Sequence, residues 1–387
     1  MVIVRTNCMR VLIDFTQIPT HRTGVGVYAE NLISRLARLF TNGDSLILLV
    51  QRDERRIPKL VQNSPNVLVA PVPSMALRNR ALLFVYEQTV LPVLLVSKNV
   101  DVIHSLHYTH PLICPCPRVV TVHDLTFILS PELHTWGRRV IMPFFIRHAV
   151  KHSEAIVFDS NATKLDSDKL IQVARKNLER VIPLGVSIEE FDLDPDIGKQ
   201  VLAKFSITQP FVLYLGTVEP RKNILRLIQA YEQIALRYPD LRLVLAGKSG
   251  WHVENVFAAI RSSQYRDRIC HLGYISEFEK KALLKNCQTL IYPSLYEGFG
   301  LPVLEGMAAG APVITSNVSS LPEITGDAAI LINPFSVEEI ANAMSILLDD
   351  EQKREHLRIL GKRRAAAFSW EKVARQTFEL YKQVAEH

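Results

Sequence analysis

The sequence predicts an α/β protein built from two doubly wound, Rossmann-like domains. Three observations carry that prediction. The chain has 387 residues, more than one typical core organises, so two domains of roughly 100–200 residues each are expected. Short β-branched or apolar runs alternate with longer amphipathic stretches from end to end, the pattern of parallel sheets covered by helices on both faces. Near the middle an acidic, poorly periodic segment, SIEEFDLDPD (187–196), breaks the alternation and reads as a linker.

Taken in order, the strand candidates of the first half are RVLIDF (10–15), SLILLV (45–50), NVLVAP (66–71), VDVIHS (100–105), RVVTVHD (118–124), AIVFDS (155–160) and RVIPLG (180–185). Those of the second half are PFVLYLG (210–216), LRLVLAG (241–247), RICHLGY (268–274), TLIYPS (289–294), PVITSN (312–317) and AAILINP (328–334). Helical patterns such as VYAENLISRLARLF (27–40) and RLIQAYEQIALRY (226–238) lie between them. This assigns residues 1–190 to an N-terminal domain and 197–368 to a C-terminal one. The last helix, within 369–387, follows the final strand and is expected to pack back on the first domain. Two facing sheets of this kind leave a cleft at their carboxyl ends, where ligands of open parallel sheets bind.

Composition narrows the class. Hydrophobic content of 48% and charged content of 22% are ordinary for a globular chain. No apolar run reaches the ~18 residues of a membrane span. The N-terminus, MVIVRTNCMRVLIDF, lacks the apolar core and cleavage site of a signal peptide. Met9 opens the first strand pattern, so residues 1–8 read as an extension or an ambiguity of the start. Five scattered cysteines fit reduced thiols in a cytoplasmic setting. The net charge of +6 is concentrated in the N-terminal half, which suits an anionic partner or simply a solvated surface. No nucleic-acid recognition motif accompanies it.

Several motifs carry chemistry. In LYEGFGLPVLEGMAAG (295–310), Glu297 and Glu305 flank a Gly298-Phe299-Gly300 turn, and Pro302 stands at an expected first helical position. The N–H groups and positive end of such a helix suit phosphate, and two carboxylates suit the paired hydroxyls of sugars. Solvated glutamates and a packing glycine are the plain alternative. GTVEPRKN (216–223) places Arg221 and Lys222 after a strand, where a cation pair offsets the charge of a diphosphate leaving group. HRTGVGVYAENL (21–32) puts Gly24 and Gly26 in a turn before the first helix, suited either to close phosphate approach or to packing. TVHDL (121–125) sets His123 and Asp124 at a strand's carboxyl end. HSLHYTH (104–110) and Cys114-Pro-Cys116 have suggestive spacing for a metal but no matching acidic cluster, so no metal site is assigned. GRRVIMPFFIRHAVKH (137–152) is basic and aromatic without an acidic residue, which suits either an anionic bilayer or ordinary helix packing.

The E-x7-E pair with GTVEPRKN resembles the retaining GT-B glycosyltransferases of family 4, over nearly the whole chain, and the TGVGVY, VHDL and EPRKN segments together resemble bacterial mannosyltransferases of surface polysaccharide assembly. The resemblance implies a C-terminal domain that binds a nucleoside diphosphate sugar and an N-terminal domain that binds the acceptor. Arg221 and Lys222 would hold the diphosphate. Glu297 and the N–H groups of Phe299 and Gly300, with Gly298 and Leu301 shaping the turn, would meet the donor sugar, and Glu305 the ribose. Tyr274 and Ile275 would frame the base, the Gly24/Gly26 loop would close on the diphosphate, and His123 would position the sugar and acceptor. Thr217 stands where the family often has a basic residue, so the phosphate contacts rest on Arg221 and Lys222. The resemblance implies transfer of a hexose, mannose from GDP-mannose first, to a saccharide or lipid-linked saccharide, without cofactor or metal. A dTDP-rhamnose or UDP-sugar donor, and a nucleotide-sugar-binding subunit without turnover, are the alternatives. Peripheral contact with the inner face of a membrane is expected through the basic N-terminal domain.

Overall fold

The computed structural model describes residues 8–18, 24–41, 43–73, 79–173, 177–208 and 210–386. The choice between Met1 and Met9 as start, and the first three residues of the glycine turn (21–23), lie outside them. The chain forms two compact units, residues 1–185 with 370–387, and residues 186–369.

Unit 1 is built on a seven-stranded sheet of β1 (Arg10–Asp14), β2 (Ser45–Gln51), β3 (Val67–Val72), β4 (Val102–Ser105), β5 (Arg118–Val122), β6 (Ala155–Phe158) and β7 (Leu178–Val181). Their order is β3-β2-β1-β4-β5-β6-β7, and every pairing is parallel. β1, β4, β5 and β6 are buried along almost their whole length, as expected of strands whose two faces are covered by helices. The last strand begins two residues before the expected 180–185 and ends sooner. Ile182 N still donates to Phe158 O at 2.9 Å, but Pro183 has no N–H to continue the ladder.

The helix Trp370–Ala385 completes unit 1. Trp370, Phe378 and Tyr381 on it are buried, Phe378 meets Phe40 edge-to-face at 5.1 Å, and Tyr381 OH lies 2.6 Å from His104 Nδ1. His104 Nε2 is in turn 2.8 Å from Thr121 Oγ1. Burial holds this imidazole's pKa down, to about 3, so it is a neutral strut between β4, β5 and the last helix.

Unit 2 carries β8 (Phe211–Leu215), β9 (Arg242–Ala246), β10 (Ile269–Gly273), β11 (Thr289–Tyr292), β12 (Val313–Ser316) and β13 (Ile330–Ile332). Their order is β10-β9-β8-β11-β12-β13, again all parallel. The acidic segment expected to link the domains belongs to this unit. Ile188–Phe191 forms a 3-10 turn with Phe191 buried, and Asp194 caps the helix Pro195–Lys204 by accepting from Asp196 N at 2.9 Å. The division therefore falls at Gly185/Val186, ahead of the expected 190–197. Buried Phe191, the Lys281–Glu190 ion pair at 2.7 Å and the bond from Lys285 Nζ to Leu193 O at 2.7 Å tie the segment down.

Candidate active site

In unit 2 the strand order reverses direction between β8 and β11, which is where an open parallel sheet receives ligands. The loops leaving these two strands are bonded to each other. Leu295 N donates to Arg221 O at 2.9 Å. Asn223, held at φ 63°, donates through Nδ2 to Pro293 O at 3.0 Å and Pro334 O at 2.6 Å.

A buried charge network fills the junction. Arg221 donates from Nη1 to Glu297 Oε2 at 2.9 Å and Tyr296 O at 2.8 Å, and from Nη2 to Glu219 Oε1 at 2.9 Å. Lys222 Nζ donates to Glu297 Oε1 at 2.5 Å and Tyr292 OH at 2.6 Å. Lys222, Glu219 and Glu297 are each less than a tenth exposed. Burial works to raise the Glu297 pKa, but the charges of Arg221 and Lys222 outweigh it and hold the carboxyl at about 2. For Lys222 the balance runs the other way: burial and the neighbouring Arg221 draw its pKa below the usual lysine range, against the pull of Glu297 and Glu219. Two cations and two carboxylates thus sit together, nearly self-neutralised.

The glycine turn follows at once. Glu297 N donates to Ser319 Oγ at 2.9 Å. Ser320 Oγ donates to the carbonyls of Glu297 at 3.0 Å and Phe299 at 2.6 Å. Gly300 caps the helix Leu301–Ala309 at φ 108°, and a Cβ there would stand 2.7 Å from Leu321 Cδ2. Only glycine fits both the backbone and the space. Pro302 sits in the first turn and Gly310 closes the helix at φ 77°. The helix therefore begins at the carboxyl end of β11, with first-turn N–H groups that have no carbonyl one turn back.

Glu305 lies buried on that helix, its Oε1 accepting from Lys280 Nζ at 2.6 Å. Lys280 also meets Glu277 at 2.7 Å. Burial works against its charge, yet the two glutamates hold its pKa above the usual range. Tyr274 and Ile275 follow β10 directly; Tyr274 is exposed and Ile275 is buried just before Ser276, which caps the helix Glu277–Asn286 through a capping box.

His123 belongs to unit 1, at the carboxyl end of β5. Nδ1 lies 2.7 Å from Asp159 Oδ2 and Nε2 lies 2.9 Å from Leu106 O. A carbonyl can only accept, so Nε2 carries a proton. Burial opposes charge on the ring, but Asp159 outweighs it and raises the His123 pKa. Tyr28 and Tyr108 close on the ring edge-to-face at 5.2 and 6.1 Å. Both ring nitrogens are thus engaged within the unit. Gly24 and Gly26 stand not in a loop but in the helix Gly24–Leu36, with Gly24 exposed and Gly26 buried. The suggestive histidines are dispersed. His104 joins Tyr381 and Thr121, while His110 meets Tyr108 O and His148. Among the described residues no three His, Cys, Asp or Glu side chains gather as metal ligands would.

Glu219, Tyr292, Lys280, Asp159 and the Ser319-Ser320 pair were absent from the sequence expectations. Glu219 and Asp159 were findable, being polar residues at the carboxyl ends of strands already assigned. Lys280 was not, since nothing local marks a lysine 25 residues before its partner.

Two independent strand-helix series with ligand ends at their switch points define a GT-B architecture, and comparison with known proteins agrees. Residues 22–190 match the profile described as Glycosyltransferase Family 4, and residues 202–364 match that of Glycosyl transferases group 1. The O-antigen chain mannosyltransferase B of Escherichia coli is 30% identical over 97% of this chain and 100% of its own. The serotype-specific mannosyltransferase WbdA of Escherichia coli is 30% identical over 68% of this chain and 33% of its own length. Anabaena HepE, solved with UDP-glucose, superposes with a TM-score of 0.77 at 19% identity, covering 97% of this chain and all of that one. The chain belongs to glycosyltransferase family 4 and is a glycosyltransferase of the GT-B fold.

Proposed function

We propose that this enzyme transfers mannose from GDP-mannose to a saccharide or lipid-linked saccharide hydroxyl during assembly of a bacterial surface polysaccharide, at the cytoplasmic side and with retention of anomeric configuration. The observation that carries the donor half is the convergence of Arg221, Lys222 and Glu297 beside the Gly300 helix start, at the switch point of one sheet. The mannosyl reading is supported by the two Escherichia coli relatives.

In the transfer, the bond from the anomeric carbon to the β-phosphate oxygen breaks and a bond to the acceptor oxygen forms. The acceptor hydroxyl gives its proton to the departing diphosphate oxygen. Negative charge grows on the departing diphosphate, and cations placed beforehand at that position lower the barrier. Arg221 and Lys222 supply those cations, and the N–H groups of Phe299 and Gly300 supplement them. Glu297, with acceptor oxygens only, takes the donor sugar's hydroxyls. Glu305 takes the ribose, Tyr274 and Ile275 frame the base, and His123, its ring oriented by Asp159, positions the sugar by exchanging the Nε2 bond to Leu106 O for one to a sugar hydroxyl. No metal enters this scheme, because the fixed cations do its work.

Calorimetric titration against GDP, UDP, dTDP and their sugars, with chelator present, tests the reading. Tight binding of GDP and GDP-mannose, weakened in Glu305→Gln, is the expected result. Preference for UDP would move the donor to a UDP-sugar, the class of ligand bound to Anabaena HepE. The anomeric configuration of the product, read by NMR coupling, tests retention separately.

A further inference from the structure

We infer that unit 1 carries a bilayer-docking face, formed by the helix Arg80–Ser97 beside the helix Trp136–His152, that seats the enzyme on an anionic phospholipid surface. From Ala81 to Ser97 the only charged residue is Glu87, and it is buried. Leu82, Val85, Thr89, Val93 and Val96 recur at spacings of three and four and form one outer stripe. All five are exposed, Val93 to 67% and Val96 to 63%. A water-facing helix normally turns charge outward; this one turns none.

The neighbouring helix supplies the missing charge. Phe84 meets Phe145 edge-to-face at 5.9 Å, which joins the two helices. On the second helix Trp136, Val140, Phe144, Arg147 and Lys151 are likewise exposed in a stripe, apolar first and cationic after. No acidic residue occurs between Trp136 and His152. A groove of about 550 Å³ opens where the stripe changes character, walled by Val140, Phe144 and Leu170 and edged by Arg147 and Lys151. Apolar side chains beside cations, with acids excluded, complement a surface whose anionic headgroups lie over hydrocarbon. A protein partner of this charge pattern would need its own acidic rim, and a second copy of this face would bring like charges together. No described helix is long and apolar enough to cross a membrane, so the contact is peripheral. The sequence pointed only to residues 137–152; the larger apolar share belongs to a helix it did not single out.

The test is co-sedimentation of the full chain with phosphatidylcholine vesicles, with and without phosphatidylglycerol. Binding to the anionic vesicles only, lost at high salt, is expected. The pair Arg147→Glu and Lys151→Glu should weaken partition at least about tenfold, at about 1 kcal/mol per charge removed or reversed. The pair Val93→Ser and Val96→Ser should weaken it comparably at low salt, with the melting temperature unchanged because both positions face outward. No sedimentation with anionic vesicles by a folded protein overturns the inference, as does binding that neither pair affects. A concentration-dependent dimer that Val93→Ser and Val96→Ser dissolve would also overturn it, by giving the face to a second copy.

Discussion

Glu297 is held by Lys222 at 2.5 Å and Arg221 at 2.9 Å, the two cations that the proposed scheme reserves for phosphate. A diphosphate arriving there competes with Glu297 for the same donors, and releasing this carboxylate frees it to receive the sugar. Glu297→Gln should therefore bind nucleoside diphosphate at least as tightly as the wild type while losing turnover by two orders of magnitude or more, about 2.7 kcal/mol or above. Calorimetry and initial rates on one preparation decide it. Lys222→Ala is a poor test of phosphate binding, since it also removes one of the two cations that hold the buried Glu297, leaving Arg221 alone with it. Glu87 gives a second expectation. It is 1% exposed, and burial together with Asp14 raises its pKa to about 8. A carboxyl whose pKa is raised on folding costs stability as pH rises from its unfolded value toward the folded one. Glu87→Gln should match the wild type near pH 4.5 and be the more stable protein at pH 8 in urea denaturation. An equal difference at both pH values would contradict the raised pKa.

At the scale of the element, the helix Leu301–Ala309 is fitted to its place by two glycines. Gly300 supplies the positive φ at its start, and Gly306 lets it lie against β11, where a Cβ would meet Leu290 Cδ2 at 2.5 Å. Gly300→Ala should cost about 2 kcal/mol from backbone strain and the Leu321 contact together. Gly24→Ala is the useful contrast: a Cβ there meets nothing within 4 Å, so stability should change by less than about 1 kcal/mol. Loss of activity with stability kept would assign Gly24 to ligand. Strands were the most legible elements in the sequence, because burial on both faces writes an unbroken apolar run. The thirteen strands described all lie at or beside the runs read from residue pattern. Gly24 and Gly26 misled, since a glycine pair reads as a turn whether it precedes a helix or opens one.

For the whole molecule, the last helix makes unit 1 discontinuous in sequence. A chain ending at Ser369 should leave the aromatic face of Phe40 without Phe378 and His104 Nδ1 without Tyr381, and unit 1 should lose its cooperative transition in calorimetry while that of unit 2 persists. Tyr381→Phe, which removes only the hydroxyl facing His104 Nδ1, should cost about 1–3 kcal/mol. Loss of both transitions in the truncated chain would show that the units fold as one.

By itself the sequence determined the two parallel sheets, their order along the chain, the family, and the strand ends at which polar residues would gather. Those follow from periodicity and from motifs a few residues long. Only the tertiary structure decided that Arg221 and Lys222 are neutralised by Glu219 and Glu297, that Lys280 holds Glu305, and that His123 is engaged by Asp159 and Leu106. The physical reason is range. A side chain's local pattern records which face is buried, whereas its charge and hydrogen-bond partners are set by residues up to 277 positions away that the fold brings within 3 Å.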